Sequence, residues 1–450
     1  MGQHLACFKA YDVRGKVPSE LNPEIAQAIG RAYAKRTGAK KVAIGYDIRL
    51  TGPELAAAMT RGLNAEGCQV IDLGMVGTEM VYFATPHYGL DGGVMITASH
   101  NPPEYNGMKM VRQESRPISG DTGLLEIEED TAALIGQDLP PSTAPATESI
   151  NAYEAFVKHL LNICPPELLG DHKVLASPGN GAAGVAMEAL MPHLPLQVTK
   201  MMFEPDGTFP NGVPNPILPE SRAPVEAEMK TGKYDLAVAW DGDYDRCFFL
   251  DETGLFIEGY YLVGLLSQAL LADNPGETII YDPRLTWNTL EVVERMKGRA
   301  VMCKSGHAFI KEKMRAENAI YGGEMSAHHY FRSHWYCDSG MIPMLLLLKL
   351  MKQSGQTLGE LVRDMMAKFP CSGEVNSTVE SVPGVLAAIE EKYKDGEINK
   401  IDGLSVEFPE WRFNLRGSNT EPVIRLNVET RGSMEMVEEK TAELLAMIRA

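Results

Sequence analysis

Gly93-Val94-Met95-Ile96-Thr97-Ala98-Ser99-His100-Asn101-Pro102 decides how the rest of the chain is read. An apolar run short enough for a buried strand passes straight into a polar loop that offers one serine hydroxyl, and a proline closes it. Runs of the same kind recur outward, at Lys41-Val42-Ala43-Ile44-Gly45, Val70-Ile71-Asp72-Leu73, Lys173-Val174-Leu175-Ala176 and Leu236-Ala237-Val238-Ala239-Trp240. They alternate with helical patterns such as 53–63, which predicts α/β layered domains. His100 beside Ser99 invites a nucleophile-and-base reading. In extended chain, however, adjacent side chains point to opposite faces, so the two are not expected to meet. A loop serine that caps the next helix is the plain alternative.

A second polar loop, Asp241-Gly242-Asp243-Tyr244-Asp245-Arg246, lies between Leu236-Ala237-Val238-Ala239-Trp240 and Cys247-Phe248-Phe249-Leu250. Alternate residues of an extended segment share a face, so the three carboxylates can converge on one ion. All-oxygen ligation of that kind suits magnesium better than zinc. A calcium hand matches the first, third and fifth positions and has Glu252 at the twelfth, but it needs glycine where Arg246 stands. An aspartyl-phosphate phosphatase is the other rival, and it would make Asp241 the nucleophile. A solvated hairpin turn rich in Asp and Gly is the bland reading.

Gly322-Gly323-Glu324-Met325-Ser326-Ala327-His328-His329-Tyr330 gathers a carboxylate, a hydroxyl and two imidazoles. Glu324 can accept from two vicinal sugar hydroxyls, with Ser326 and His328 on the same face if the loop is extended. A metal site here lacks a third ligand at suitable spacing. Arg416-Gly417-Ser418-Asn419-Thr420-Glu421-Pro422, between Trp411-Arg412-Phe413-Asn414-Leu415 and the alternating run 423–428, offers a guanidinium and backbone amides as a nest for a dianion. A polar hairpin turn is its plain alternative.

With these four loops in order, the chain resembles the alpha-D-phosphohexomutases, most closely their bacterial phosphomannomutase group. The likeness extends to Phe8-Lys9-Ala10-Tyr11-Asp12-Val13-Arg14-Gly15, Tyr105-Asn106-Gly107-Met108-Lys109, Pro205-Asp206-Gly207-Thr208-Phe209-Pro210 and Lys304-Ser305-Gly306-His307, so it spans the whole chain. The resemblance implies three similar α/β layered domains with mixed sheets and a C-terminal α+β domain around a central active-site cleft. It implies reversible movement of phosphate between O1 and O6 of a hexose, through a phosphoserine at Ser99 and a hexose 1,6-bisphosphate intermediate. Mannose 6-phosphate and mannose 1-phosphate would be the substrates, supplying GDP-mannose synthesis. A phosphoglucomutase or a dual-specificity enzyme is the near alternative, and a magnesium-dependent aspartyl-phosphate sugar phosphatase the remote one.

The resemblance also distributes roles. Ser99, His100, Lys109, Arg14 and His307 form the catalytic set. Mg2+ is expected on Asp241, Asp243 and Asp245 together with the group on Ser99, since a phosphoserine carries a charge of about −1.5 to −2 that a cation must offset. Arg246, Arg284, Glu324, Ser326, His328, Arg416, Ser418, Asn419, Thr420 and Arg425 are expected to bind substrate. Arg284 stands where some relatives carry lysine. Arginine keeps its proton, so phosphate or sugar contact is its expected role.

Composition agrees with a cytoplasmic enzyme of several domains. The 42 basic against 60 acidic residues give a net charge of −18, which argues against nucleic acid and anionic membranes as partners. No obligate protein partner is evident. Seven cysteines without a Cys-x-x-Cys pair read as reduced thiols. No targeting segment is evident, and the apolar run 341–348 is too short for a membrane span and reads as a buried helix. Gly179-Asn180-Gly181-Ala182-Ala183-Gly184, with Glu204 downstream, fits the dinucleotide fingerprint, yet nothing else suggests hydride chemistry. The stretch 139–149 reads as a linker and 358–369 as an amphipathic helix, and a last helix carries Val437, Thr441, Leu444, Leu445 and Ile448 at helical spacing. These marks divide the chain at 1–148, 149–250, 251–368 and 369–450.

Overall fold

The computed structural model describes residues 4–417 and 423–449, in two compact units. Residues up to 256, with 330–353, form the first; 257–329 and the remainder from 354 form the second.

The first unit contains two sheets. In one, the strand Gly92–Ile96 runs parallel to Lys41–Tyr46, which runs parallel to Gln69–Met75. Its other edge pairs antiparallel with Tyr105–Arg112, which pairs with Val13–Lys16. In the second sheet Leu236–Trp240 has the same neighbours: Lys173–Ser177 in parallel, then Gln197–Lys200, with Cys247–Leu250 antiparallel on the far side. Each residue of Gly92–Ile96 and Leu236–Trp240 is buried, as strands covered on both faces require. The helix Ile342–Ser354 is buried from Ile342 to Met351, as its apolar run predicts.

Local chemistry sets the ends of the elements. The helix Pro23–Thr37 starts with Asn22 accepting the Ile25 amide at 3.0 Å and Pro23 in the first turn, and ends at Gly38 with φ 68°. In the second unit the helix Leu358–Lys368 opens with a reciprocal Thr357 and Glu360 capping box.

The second unit repeats the scaffold. Thr278–Tyr281 lies between Arg299–Met302 and Tyr321–Gly323, all parallel. The C-terminal sheet is antiparallel, in the order Cys371–Thr378, Val423–Thr430, Trp411–Gly417, Leu404–Glu407, Glu397–Asn399. The helices Val382–Lys392 and Met434–Ile448 accompany it, and Phe413, Leu426, Val428 and Leu444 pack in its core. The architecture is therefore three α/β layers and a C-terminal α+β domain, with the loops that begin at Thr97, Asp241 and Glu324 each leaving the C-terminal end of the corresponding strand.

The glycine run at 179–184 has a packing role. A Cβ on Gly184 would lie 2.2 Å from the Phe203 carbonyl, so only glycine permits that approach. No helix of the described residues is long and apolar enough to cross a membrane.

Candidate active site

In the first unit, Ser99 Oγ donates to Asp241 Oδ2 at 2.8 Å, which brings the ends of two different strands together. Gly242 makes this possible, because a Cβ there would stand 2.6 Å from the Ser99 carbonyl. Asp241 is also gripped by Arg246, through Nε at 3.0 Å and Nη2 at 2.7 Å on the same oxygen. Lys109, on Tyr105–Arg112, reaches Asp243 at 2.7 Å and Asp245 at 2.5 Å. Thr78 donates its hydroxyl to Asp243 at 2.5 Å. Arg14 donates to Asn101 at 2.7 Å, beside the serine, and pairs with Asp12.

Two expectations based on extended chain are corrected. Ser99 and His100 do meet, with Oγ and Nδ1 3.1 Å apart, because Ser99 has φ 48°. The three aspartates converge, with ligand atoms within 4.8 Å of one another, on a turn in which Tyr244 has φ 44°. Left-handed backbone at both residues, rather than strand alternation, aims the side chains.

The electrostatics follow from burial. All three aspartates, Arg246 and Ser99 are buried. Burial raises Asp241, with Asp245 and Asp243 adding to it and Arg246 opposing. Burial pulls Lys109 down, but Asp243 and Asp245 outweigh it and hold the group as an ammonium. His100 is pushed well below its ordinary value by burial and by Arg246 and Arg14, so its imidazole is neutral. Its Nδ1 accepts from Arg246 at 2.5 Å.

The aspartates fit a hard cation. They supply only oxygen, and Asp243 Oδ1 is buried with no hydrogen-bond partner among the described residues, an acceptor that a metal would satisfy. Asp241 fits poorly as a phosphatase nucleophile. One oxygen is taken by Ser99 and the Arg246 fork, and the other lies 3.3 Å from the Arg246 amide.

In the second unit Arg284 forks onto Asp282 at 3.0 and 2.8 Å and presents Nη2 to Ser326 Oγ at 3.4 Å and Glu324 at 3.6 Å. His328 Nδ1 lies 3.3 Å from Ser326 Oγ. The loop is a closed turn rather than extended. Glu324 and His328 are joined by a 3.0 Å backbone bond, and Ala327 has φ 68°. Glu324 accepts the Gly306 amide at 2.8 Å, which ties the sugar loop to the turn before His307, the first residue of His307–Glu317. His329 is turned inward onto the Tyr321 hydroxyl at 2.8 Å. Arg416 and Arg425 lie at the turn end of the C-terminal hairpin; Ser418, Asn419 and Thr420 lie outside the described residues.

Sequence reasoning missed the acids that hold these cations. Glu374 lies 3.8 to 4.0 Å from Arg284, Arg416 and Arg425. Asp402 pairs with Arg416 at 3.4 Å and accepts the Ser305 amide at 3.2 Å. It also missed Arg412, which donates to the carbonyls of Pro283 and Arg284 at 2.9 and 3.0 Å and pairs with buried Glu429. Isolated acids and an arginine on a strand carry no spacing signal that could have found them.

A serine hydroxyl set against clustered carboxylates and fixed cations on this scaffold defines a phosphoryl-transfer enzyme. Four models described as phosphoglucomutase/phosphomannomutase match: alpha/beta/alpha domain I at 6–135, domain II at 154–254, domain III at 258–369 and the C-terminal domain at 374–447. The chain is 52% identical to the phosphohexose mutases of Xanthomonas campestris, over 99% of each chain. It is 50% identical to a phosphomannomutase of Escherichia coli K12, again over 99% of each. A crystal structure of a phosphoglucomutase/phosphomannomutase family protein from Burkholderia thailandensis matches with a TM-score of 0.88 at 30% identity, covering 100% of this chain and 98% of that one. The chain belongs to the phosphoglucomutase/phosphomannomutase family and is a phosphohexomutase, an intramolecular phosphotransferase of the isomerase class.

Proposed function

We propose that this chain interconverts mannose 6-phosphate and mannose 1-phosphate through a phosphorylated Ser99 and a hexose 1,6-bisphosphate. The 2.8 Å bond from the Ser99 hydroxyl to Asp241 carries the reading, because it sets the candidate phosphoryl carrier on the carboxylate cluster. Relatives of about 50% identity named phosphomannomutase support mannose. The Xanthomonas relative, named for phosphohexoses, favours a second reading with both mannose and glucose as substrates.

Asp241, Asp243 and Asp245, with the phosphate on Ser99, are the residues that would hold Mg2+. When bound, the ion supplies positive charge against the transferring phosphoryl oxygens. In the transfer, the bond from Ser99 Oγ to phosphorus breaks and one from a sugar hydroxyl to phosphorus forms. Ser99 Oγ leaves with a proton gained, and the sugar hydroxyl gives one up. Lys109, held as an ammonium by two aspartates, offers charge and a proton rather than a base. His307, in the second unit, completes the catalytic set that the family likeness assigns. Arg14 and Arg246 steady the phosphoryl group, with neutral His100 accepting from Arg246. Glu324, Ser326, His328 and Arg284 hydrogen-bond the sugar hydroxyls, and Arg416, Ser418, Asn419, Thr420 and Arg425 grip the phosphate that is not reacting. Seven free cysteines, six of them buried, suit a cytoplasmic setting.

Phosphorus NMR of mannose 1-phosphate and glucose 1-phosphate in separate tubes, each with magnesium and its 1,6-bisphosphate, tests the reading. Conversion to the 6-phosphate that collapses in Ser99→Ala is the expected result, and the ratio of rates selects mannose or both sugars. Inorganic phosphate released equally by the mutant sinks the phosphoserine mechanism.

A further inference from the structure

Arg49 is nearly inaccessible, 2% exposed, and reaches the proposed machinery only through backbone, at the Ser99 carbonyl. Its guanidinium lies under the loop that carries Ser99. Nη2 donates to the carbonyls of Ser99 at 2.9 Å and Asn101 at 2.6 Å, and Nη1 to those of Pro102 and Tyr105, each at 2.8 Å. The fifth N–H, on Nε, faces Asp47 Oδ2 at 3.5 Å. Four of the five donors of one side chain are thus spent on one short stretch of backbone.

That stretch needs support. Ser99 is a non-glycine residue at φ 48°, a conformation that costs of order 1 kcal/mol or more unless its surroundings impose it. The same conformation places Ser99 Oγ against both Asp241 and His100. Asp47 braces the loop from its other end. Its Oδ2 accepts the Thr97 hydroxyl at 2.6 Å, and Thr97 Oγ1 in turn accepts the Ser99 amide at 2.8 Å. Asp47 also fixes Arg49 by accepting its backbone amide at 2.9 Å.

The motif Pro205-Asp206-Gly207-Thr208-Phe209-Pro210, for which the chemistry above has no use, closes the other side. The Phe209 ring centroid lies 5.3 Å from the Arg49 guanidinium carbon. A Cβ on Gly207 would stand 2.1 Å from the Ile48 carbonyl, so this segment lies directly against the Asp47-Ile48-Arg49 turn.

We propose that Arg49 is a positioning residue for phosphoryl transfer: it clamps the Ser99 loop by its carbonyls, is aimed by Asp47 and is backed by Phe209. The inference rests on Ser99 being the phosphoryl carrier. Lysine cannot replace the clamp, because one ammonium with three donors cannot serve four carbonyls spread along the loop.

The test compares Arg49→Lys, Arg49→Ala, Phe209→Leu and Ser99→Ala with the wild type, using mannose 1-phosphate, its 1,6-bisphosphate and magnesium. Thermal melts report the folded fraction, intact mass reports phosphate on Ser99, and hydrogen exchange reports the amides of 97–105. Arg49→Lys melts cooperatively, yet its kcat falls about 100-fold while KM moves by less than about 3-fold, the signature of a misplaced reacting group. Exchange at 97–105 quickens. Guanidinium restores part of the rate of Arg49→Ala, and sodium chloride at the same ionic strength does not. Phe209→Leu shifts kcat in the same direction by about 3-fold.

An Arg49→Lys kcat within about 3-fold of wild type, with Ser99→Ala inactive, overturns this inference and leaves the phosphoserine reading standing. So does a loss matched by the unfolded fraction with no response to guanidinium. Turnover that survives in Ser99→Ala overturns both.

Discussion

The Ser99 loop of the first unit and the Glu324 loop of the second leave corresponding strands, and each strand's parallel neighbour ends in Asp-x-Arg: Asp47-Ile48-Arg49 and Asp282-Pro283-Arg284. In both turns the aspartate accepts the arginine's own amide at 2.9 Å. The guanidinium groups then diverge. Arg49 is 3.5 Å from its aspartate at Nε and spends itself on loop carbonyls, whereas Arg284 keeps a two-point fork on Asp282 and faces the side chains of Ser326 and Glu324. One scaffold thus aims one arginine at backbone carbonyls and the other at side chains. Under the proposed function, chemistry and recognition are separated by where an arginine points rather than by a change of fold.

Removing the reacting group should break that division most sharply. Ser99→Ala lowers kcat by more than about 10⁴-fold in phosphorus NMR while leaving the melt unchanged, because it removes the hydroxyl proposed to carry the phosphate. A mutant that still turns over would place the chemistry elsewhere. Asp243→Asn comes next. It withdraws a ligand whose Oδ1 has no hydrogen-bond partner among the described residues, and the magnesium concentration for half-activation rises at least about 100-fold. An unchanged magnesium curve would count against the aspartates as the metal site.

Substitutions in the sugar loop should cost less and act differently. Glu324→Gln keeps the shape but weakens charge-assisted bonds, including that to the Gly306 amide, each worth about 1.5–3 kcal/mol. We expect kcat/KM to fall about 10- to 100-fold with magnesium activation unaltered. If magnesium activation shifts instead, the two loops are not separable in the way their geometry suggests. Arg284→Lys breaks the fork on Asp282 and lowers kcat/KM for both sugars by about 10-fold.

Much of the scaffold is legible in the chain. Gly92–Ile96, Leu236–Trp240 and Cys247–Leu250 are apolar runs bounded by polar loops, and Leu358–Lys368 carries its capping box in plain view. The loops themselves are legible as groups of functional residues but not as geometry. Ser99, Tyr244 and Ala327 all take left-handed backbone, and none is the Gly, Asn or Asp that would announce it. Reasoning from strand alternation therefore brought the aspartates together by the wrong route and kept Ser99 from His100. The threefold repetition of strand order is hard to read from sequence, because beyond the Asp-x-Arg at 47–49 and 282–284 it is held by pairing and connectivity rather than by side chains. Arg49 was invisible for the same reason that makes it effective. Its partners are carbonyls, which every residue has.

Acid titration yields the smallest effect and tests the two units separately. Each holds an imidazole that burial keeps neutral. In the first unit His159, stacked on Trp335 and 3.1 Å from His334, is lowered to about 4 by burial and then by His87. In the second, His329 beside Tyr321 is lowered to about 3 by burial. An unfolded histidine takes its proton near pH 6.5. Above that value neither state is charged and the groups contribute no pH dependence. As pH falls from about 6.5 toward 4, the unfolded chain binds protons that the folded units refuse, and stability declines with a slope of up to about 1.4 kcal/mol per pH unit for each histidine. Denaturant melts at several pH values should show His159→Phe flattening the slope of the first unit's transition and His329→Phe that of the second. If either variant keeps the wild-type slope, that histidine is not the group protonated on unfolding, and the acid sensitivity of its unit originates in the carboxylate and cation clusters instead.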